Sequence, residues 1–281
     1  MSAPAFRLAG VMGWPIGHSR SPALYGHWLA RYGIHGAYVP LAVAPDRLAQ
    51  AVEGLRALGF AGANVTVPHK EAVLALADEA DPLASRIGAA NTLLRRQDGS
   101  LHAMNTDAYG FLANLEESAS FQATGRTVAV LGAGGAARAV IVALVDAGAV
   151  RIRLANRTRG RAESLADAFG PMVEVVDWRE RSAMLDGVDL LVNTTALGLE
   201  GQPPLEIDLA PLPEATLVTD IVYAPLETPL LAAARRQGNP VVDGLGMLLH
   251  QAVPGFEAWF GVRPTVDAAL RAAVLGPPAG R

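Results

Sequence analysis

The chain of 281 residues contains no cysteine. Disulfide scaffolds, zinc–thiolate sites, iron–sulfur clusters and thiol nucleophiles are therefore excluded. A basic excess is also missing, because 23 Lys and Arg stand against 27 Asp and Glu, which gives a formal net charge of −4. Proteins that bind nucleic acid through its phosphates usually carry such an excess, so we expect no nucleic-acid partner.

Long hydrophobic runs are absent as well. No stretch of the sequence approaches the roughly 20 apolar residues that a membrane helix needs, and the N-terminal segment carries Arg7 where a signal peptide would continue an apolar run. We therefore expect a cytoplasmic protein without a membrane partner, acting as a monomer or a homodimer. The six histidines lack the spacing of metal ligands, so no metal is expected.

Apolar residues are plentiful, at 51% of the chain. Short apolar runs alternate with amphipathic stretches almost throughout, which predicts an α/β fold. At about 150 residues per domain, the length indicates two domains. We place the boundary near 121–126, before a glycine-rich segment that opens the second domain.

The same patterns predict individual elements. In the first half we expect strands at 8–12, 38–43 and 63–67, a hairpin of 91–94 with 101–104, and helices at 22–31, 46–58, 70–77 and 106–118. In the second half we expect strands at 127–131, 151–155, 173–176, 189–193 and 217–220, and helices ending near 147, 169, 237 and 260. Ser21 and Asp46 are the expected N-caps of the first two helices, because their side chains can accept hydrogen bonds from free N–H groups.

A glycine-rich turn follows the strand 127–131 and opens a helix. Its residues are Gly132-Ala133-Gly134-Gly135-Ala136-Ala137. The first glycine permits a tight turn, the second lets the backbone approach a pyrophosphate, and Ala137 lets helix and strand pack closely. This context predicts a dinucleotide-binding site.

The end of the next strand lacks a carboxylate. Asn156-Arg157-Thr158 stands where an NAD enzyme places Asp or Glu to hold the ribose hydroxyls. Arg157 can meet a 2′-phosphate with its planar guanidinium, which favours NADP over NAD. The alternative is that Arg157, Arg159 and Arg161 form only a solvated helix start.

Hydride transfer to a carbonyl without a metal requires a protonated side chain to stabilise the developing alkoxide. Two candidates follow predicted strands: Lys70 comes after 63–67 and Asp107 after 101–104. Their structural alternatives are a surface lysine and a helix cap. Ser19 and Ser21 flank a helix N-terminus, where they could bind a small carboxylate or act in capping alone.

Taken together, these motifs resemble the shikimate dehydrogenase family over nearly the whole chain. The resemblance is carried by Gly13-x-Pro15-Ile16-x-His18-Ser19-x-Ser21-Pro22, Asn64-Val65-Thr66-Val67-Pro68-His69-Lys70, Gly88-Ala89-Ala90-Asn91-Thr92-Leu93, Asn105-Thr106-Asp107, Gly132-Ala133-Gly134-Gly135-Ala136, Asn156-Arg157-Thr158, Asp220-x-x-Tyr223-x-Pro225 and Asp243-Gly244-Leu245-Gly246-Met247-Leu248-x-x-Gln251-Ala252. Such a series of ordered motifs is not expected by coincidence.

The resemblance implies an oxidoreductase that uses NADPH to reduce 3-dehydroshikimate reversibly to shikimate, in the biosynthesis of chorismate and aromatic amino acids. It implies hydride transfer to the C3 carbonyl, with Lys70 and Asp107 as the catalytic pair. The implied substrate-binding residues are Ser19, Ser21, Asn64, Thr66, Asn91, Tyr223 and Gln251. The implied cofactor-binding residues are Gly132, Ala133, Gly134, Gly135, Ala136, Asn156, Arg157, Thr158, Thr194, Ile221 and Gly244.

The resemblance also refines the domain prediction. An N-terminal α/β substrate-binding domain, residues 1–121, is completed by the C-terminal segment 246–281. A Rossmann-like NADP-binding domain covers 122–245, with a cleft between the two. Two other functions stay open: a quinate/shikimate dehydrogenase of broader specificity, and a non-catalytic ligand sensor built on the same fold.

Overall fold

The computed structural model describes residues 6–276, so the last five residues of the predicted segment 246–281 lie outside it. The chain divides into two compact units. The first unit is formed by the chain up to Asp107 and from Leu248 onward, and the second runs from Ala108 to Met247. Each unit is built around its own six-stranded sheet, which confirms the predicted α/β class.

The first sheet mixes parallel and antiparallel strands. Its members are β1 (Arg7–Gly13), β2 (Gly36–Ala42), β3 (Gly62–Val65), β4 (Glu79–Ala80), β5 (Thr92–Arg95) and β6 (Leu101–Met104), in the order β2-β1-β3-β5-β6-β4. Strand β1 pairs in parallel with β2 and β3, whereas β5 is antiparallel to both β3 and β6. The predicted hairpin is therefore present as β5 and β6.

The second sheet is entirely parallel. Its members are β7 (Thr127–Leu131), β8 (Arg151–Ala155), β9 (Val173–Val176), β10 (Leu190–Asn193), β11 (Leu217–Asp220) and β12 (Val241–Val242), in the order β12-β11-β10-β7-β8-β9. The strand order reverses beside β7, which is the Rossmann-like arrangement expected from the sequence. In such sheets, ligands bind at the carboxyl ends of the strands near that reversal.

Helices connect and cover the strands. They are α1 (Ser21–Arg31), α2 (Leu48–Ala57), α3 (Pro82–Ile87), α4 (Asp107–Ala119), α5 (Gly135–Asp146), α6 (Arg159–Phe169), α7 (Pro229–Gln237), α8 (Leu245–Phe260) and α9 (Ala268–Leu275). Among residues 6–276, none of these helices has both the length and the apolar character needed to cross a bilayer.

Two predicted N-caps are wrong. Helix α1 begins at Ser21 itself with Arg20 in the N-cap position, because the Arg20 carbonyl accepts the first helical hydrogen bond, from the Leu24 N–H at 3.1 Å. Asp46 lies inside a 3-10 turn, Pro45–Arg47, which the hydrogen bond from Arg47 N–H to the Ala44 carbonyl closes. Helix α2 therefore begins later, at Leu48.

The predicted helix 70–77 is also wrong. The structure has a 3-10 turn there, Ala72–Leu76. The Lys70 carbonyl accepts a hydrogen bond from the Ala90 N–H at 2.8 Å, so it is engaged outside the segment instead of serving an α-helical N–H. That bond fixes the backbone of Lys70 beside the start of β5.

Candidate active site

Lys70 and Asp107 lie in direct contact in the first unit. Lys70 Nζ donates to Asp107 Oδ2 at 2.6 Å, and their side chains are 15% and 6% exposed. Lys70 follows β3 in the chain, while Asp107 follows β6 and is the first residue of α4. Lys70 is also the only lysine among 281 residues, since the other 22 side chains in the Lys and Arg count are arginines. The structure thus brings one ammonium and one buried carboxylate together.

Asn91 connects this pair to further polar groups. Its Oδ1 accepts from the Thr106 N–H at 2.8 Å, which fixes the orientation of the amide because a backbone N–H can only donate. Its Nδ2 then faces Asp107 Oδ1 at 2.9 Å and Gln251 Oε1 at 3.1 Å. Four of the predicted site residues, Lys70, Asp107, Asn91 and Gln251, therefore form one hydrogen-bonded cluster.

Asn64 joins the same cluster through buried neighbours. Its Nδ2 donates to the Asn91 carbonyl and to Thr92 Oγ1, both at 3.1 Å, and its Oδ1 accepts from the Tyr38 hydroxyl at 2.6 Å. Tyr38 and Thr92 are buried, and neither was assigned a role from the sequence. Tyr38 sits in a strand of ordinary alternating pattern, so its contact with Asn64 depends on tertiary structure.

The remaining predicted residues of the first unit lie around the start of α1 and on the loop after β3. Ser21, the first residue of α1, is buried, while Ser19 before it is half-buried. Thr66 is half-buried, and its N–H donates to the Met12 carbonyl at 2.9 Å. Among residues 6–276, the hydroxyls of Ser19 and Thr66 make no hydrogen bond to the cluster.

In the second unit, the glycine-rich turn leaves open space at the N-terminus of α5. Gly132 has φ +107°, and a Cβ there would lie 2.5 Å from Thr194 Oγ1, so the turn requires glycine. Gly134 is the N-cap of α5, and no side chain among the described residues accepts from the first N–H groups of that helix. A Cβ built at Gly134 meets no atom within 4 Å. These features fit a dinucleotide pyrophosphate, with Ala133, Gly135 and Ala136 in the same turn.

Arg157 lies where the sequence placed it, at the end of β8. The turn is shaped by Asn156, whose Nδ2 donates to the Thr158 carbonyl at 2.8 Å. Arg157 is exposed, and no side chain within residues 6–276 pairs with its guanidinium. Its neighbour Arg159, in contrast, donates to Glu163 at 2.8 Å. Arg157 is therefore the guanidinium of this turn that is available to an anion.

The other predicted cofactor residues follow β10, β11 and β12. Thr194 Oγ1 donates to the Leu131 carbonyl at 2.7 Å, which ties the loop after β10 to the glycine-rich turn. A Cβ at Gly244 would lie 2.5 Å from the Ile221 carbonyl oxygen, so the two backbones approach as closely as only glycine allows. Tyr223 is half-buried on the loop after β11.

Asp220 is a buried carboxyl that the sequence did not single out as a site residue. Its Oδ1 accepts from Asn193 Nδ2 and from the Val222 N–H, both at 3.0 Å, and its Oδ2 accepts from Thr228 Oγ1 at 2.8 Å. Burial raises the pKa of Asp220 to about 6, although these three hydrogen bonds favour the charged form. Asp220 thereby joins the loops that follow β10 and β11.

The raised pKa of Asp220 makes a prediction about stability. Because the folded state holds this proton more tightly than the unfolded state, the contribution of Asp220 is fully present below about pH 4 and is lost as pH rises to about 6. A shift from 3.8 to about 6 corresponds to roughly 3 kcal/mol. Urea unfolding of wild type and Asp220→Asn should therefore give a free-energy difference that changes by about this amount between pH 4 and pH 7. A difference independent of pH would contradict the assignment.

Within the part of the chain that the structure describes, no group of three or more His, Cys, Asp or Glu side chains could hold a metal ion. A parallel sheet of Rossmann type with an open glycine-rich turn, in a chain that also carries a buried Lys–Asp pair, defines a dinucleotide-dependent dehydrogenase. The comparisons with known proteins narrow this class.

Three family models match successive parts of the chain. They are described as "Shikimate dehydrogenase substrate binding domain" for residues 11–93, "Shikimate / quinate 5-dehydrogenase" for 114–198 and "Shikimate 5'-dehydrogenase C-terminal domain" for 244–274. The chain belongs to the shikimate dehydrogenase family, so the resemblance stated from its motifs is confirmed.

Individual relatives are similar over nearly the full length. "Shikimate dehydrogenase (NADP(+))" of Paramagnetospirillum magneticum is 63% identical over 96% of this chain and 98% of its own. The structure of shikimate 5-dehydrogenase from Thermus thermophilus, in complex with NADP(H) and shikimate, is 37% identical, with a TM-score of 0.85 over 95% of this chain and 98% of its own. Quinate dehydrogenase from Corynebacterium glutamicum, in complex with NAD, is 33% identical, with a TM-score of 0.88 over 97% of this chain and 100% of its own.

Proposed function

We propose that this protein reversibly reduces 3-dehydroshikimate to shikimate with NADPH, as a step in the biosynthesis of chorismate and aromatic amino acids. Its similarity to a shikimate dehydrogenase (NADP(+)) and to a shikimate 5-dehydrogenase solved with NADP(H) and shikimate supports this activity and this cofactor. The single observation that carries the chemistry is the 2.6 Å contact between Lys70 Nζ and Asp107 Oδ2.

In this proposal, NADPH supplies the hydride to the C3 carbonyl when it is bound. Lys70 Nζ donates its proton to the carbonyl oxygen as that oxygen becomes a hydroxyl, and takes a proton back in the reverse direction. Asp107 Oδ2 holds the ammonium in place, and Asn91 Nδ2 holds the other carboxylate oxygen. The pair is thus oriented before substrate arrives, so little reorganisation is needed during the reaction.

The polar side chains around the pair suit a small anionic polyol. Ser19 and Ser21 are proposed to bind the substrate carboxylate, and Asn64, Thr66, Asn91 and Gln251 its ring hydroxyls. Tyr223 is proposed as a further substrate-binding residue. A site built to hydrogen-bond each hydroxyl penalises an analogue that lacks one, because its buried polar groups are then left unpaired.

The cofactor proposal rests on the second unit. The first N–H groups of α5 and the turn Gly132–Ala136 would hold the pyrophosphate, with Thr194, Ile221 and Gly244 on neighbouring loops. Asn156, Arg157 and Thr158 would hold the adenosine ribose and its 2′-phosphate. We further propose residues 1–121 with 246–281 as the substrate-binding domain and 122–245 as the NADP-binding domain. A cytoplasmic location and a monomeric or homodimeric state remain predictions.

The alternative of broader quinate/shikimate specificity has one observation in its favour, the similarity to a quinate dehydrogenase solved with NAD. Arg157 favours NADP and thus the narrower function. Turnover of shikimate and quinate, each with NADP and NAD, separates the two. We expect efficient turnover of shikimate with NADP and little turnover of quinate.

The direct test of the activity follows the absorbance band of NADPH while 3-dehydroshikimate is added. We expect a decrease that stops when the reaction reaches equilibrium, and a slower decrease when NADH replaces NADPH. Equal or faster reaction with NADH would refute the cofactor assignment. Ligand binding without NADPH oxidation would instead favour a non-catalytic sensor.

A further inference from the structure

A chain of hydrogen bonds starts at the Tyr38 hydroxyl and ends at Asp107. Tyr38 OH lies 2.6 Å from Asn64 Oδ1, Asn64 Nδ2 lies 3.1 Å from Thr92 Oγ1, and Thr92 Oγ1 lies 3.0 Å from Asn91 Oδ1. Asn91 Nδ2 lies 2.9 Å from Asp107 Oδ1. All five residues are buried, and Thr92 is completely so.

The direction of each bond follows from its neighbours. Asn64 Nδ2 faces the Asn91 carbonyl, which can only accept, so the amide orientation is fixed and Asn64 Oδ1 is the atom that meets Tyr38. Tyr38 must therefore donate to Asn64. Thr92 Oγ1 accepts from an amide nitrogen on one side, so its own proton goes to Asn91 Oδ1. Every hydrogen in the chain points towards the carboxylate of Asp107.

The sheet of the first unit sets up this alignment. Thr92 on β5 lies directly opposite Asn64 on β3 in the antiparallel register. Tyr38 on β2 reaches Asn64 across β1, which lies between the two strands. The ring of Tyr25 stacks on the ring of Tyr38 at 3.8 Å with an interplanar angle of 3°. The phenol is thereby held in place from one side.

Tyr38 also keeps its proton. Burial raises the pKa of Tyr38 well above its usual value, so the phenol is a neutral donor at neutral pH. Tyr38 thus donates to Asn64, one of the predicted substrate-binding side chains, and itself lies outside that set.

We propose that Tyr38 and Thr92 are positioning residues for the reaction, acting through Asn64 and Asn91 on the Lys70–Asp107 pair. This inference rests on the proposed function. Hydrogen bonds in series polarise one another in a low-dielectric interior, so the Asp107 end depends on the Tyr38 end. Loss of either hydroxyl removes a hydrogen bond from a buried amide and weakens the chain that orients Asp107.

The experiment removes each hydroxyl while keeping the shape of the side chain. We expect Thr92→Val to lower kcat/KM for shikimate by about 10-fold and Tyr38→Phe by about 5-fold, because each cut loses one or two net hydrogen bonds. The KM for NADP should stay within about twofold. Thr92→Ser keeps the hydroxyl and should restore most of the wild-type kcat/KM.

Tyr25→Phe is the matched control. The Tyr25 hydroxyl donates to the Ala252 carbonyl at 3.2 Å, and its ring belongs to the same stack. If the two stacked tyrosines contributed only to the stability of the fold, Tyr25→Phe and Tyr38→Phe would have similar effects on both stability and kcat/KM. We expect instead that Tyr25→Phe leaves kcat/KM unchanged even where the melting temperatures of the two variants fall alike.

The double variant Tyr38→Phe/Thr92→Val tests whether the two hydroxyls belong to one chain. We expect its loss in kcat/KM to be smaller than the product of the two single losses, because the chain is already cut. Losses that multiply, or a Thr92→Ser variant as impaired as Thr92→Val, overturn the proposal. Wild-type turnover of shikimate, measured in the same series, tests the proposed function separately, so the two failures are distinguishable.

Discussion

Replacing Lys70 with alanine is expected to lower kcat for shikimate oxidation by about 10²–10⁴-fold, with a much smaller change in KM. General acid–base catalysis by a positioned group typically contributes this much. The alanine leaves the carboxylate of Asp107 without its ammonium partner, while the proposed substrate-binding residues Asn64, Asn91 and Gln251 are unchanged. Steady-state kinetics with saturating NADP check the result, and a raised KM with unchanged kcat would make Lys70 a binding residue only.

Lys70→Arg tests whether the reaction needs a transferable proton at position 70 or only a positive charge. Arginine supplies the positive charge at 22 positions of this protein and lysine at only one, so the substitution keeps a positive charge at position 70. A guanidinium keeps its proton in proteins, whereas an ammonium can release it. We therefore expect Lys70→Arg to be impaired nearly as much as Lys70→Ala. An arginine variant close to wild type would show that charge alone suffices.

Replacing Arg157 with glutamine is expected to raise the KM for NADP by about 10- to 100-fold and to leave the KM for NAD nearly unchanged. Hydrogen bonds from a guanidinium to a phosphate are charge-assisted and contribute about 1.5–3 kcal/mol. Arg157 is exposed and lies at the end of β8, where the 2′-phosphate is proposed to bind. Initial rates with both cofactors measure the change.

Arg159→Gln is the matched control for this variant. Arg159 lies two residues away, carries the same charge and is paired with Glu163 on the same helix. We expect its KM for NADP to change by less than about threefold, since an exposed pair contributes little. Equal effects of the two substitutions would indicate a general contribution of positive charge and no specific phosphate contact at Arg157.

The second unit was the more predictable from sequence. Strand β7 is buried on both faces, so it is a short apolar run, and Gly148 and Gly170 mark the ends of α5 and α6. The glycine-rich turn has a backbone requirement that the structure shows at Gly132. In this unit the local sequence preferences agree with the tertiary structure, so the apolar runs and glycines were enough to locate the strands and helices.

The first unit was less predictable because tertiary contacts override local signals. Ser21 resembles an N-cap, yet it is the first residue of α1 and its N–H donates to Ser19 Oγ. Helix α3 was missed, although Asp81 caps it, with a bond to the Ala84 N–H, and Gly88 ends it in a left-handed conformation. Those cap residues were the available signal, and six helical residues are too few for a clear period.

The residues of the candidate site also divide into those that could be predicted from sequence and those that could not. Lys70 and Asp107 could be selected because each follows a predicted strand and carries a group that moves protons. Tyr38 and Thr92 could not, because a tyrosine or threonine in a strand is typical of any sheet. Their connection to Asp107 arises from the order of β2, β1, β3 and β5, which the sequence does not display.

The measurement that addresses the Lys70 proton most directly is chemical rescue of Lys70→Ala by small primary amines. We predict that methylamine and ethylamine restore part of kcat, with a rate that depends on the amine pKa, because proton transfer follows Brønsted behaviour. Tetramethylammonium, which carries charge without a transferable proton, should not restore it. Rescue by tetramethylammonium equal to that by the amines would contradict Lys70 as the proton donor.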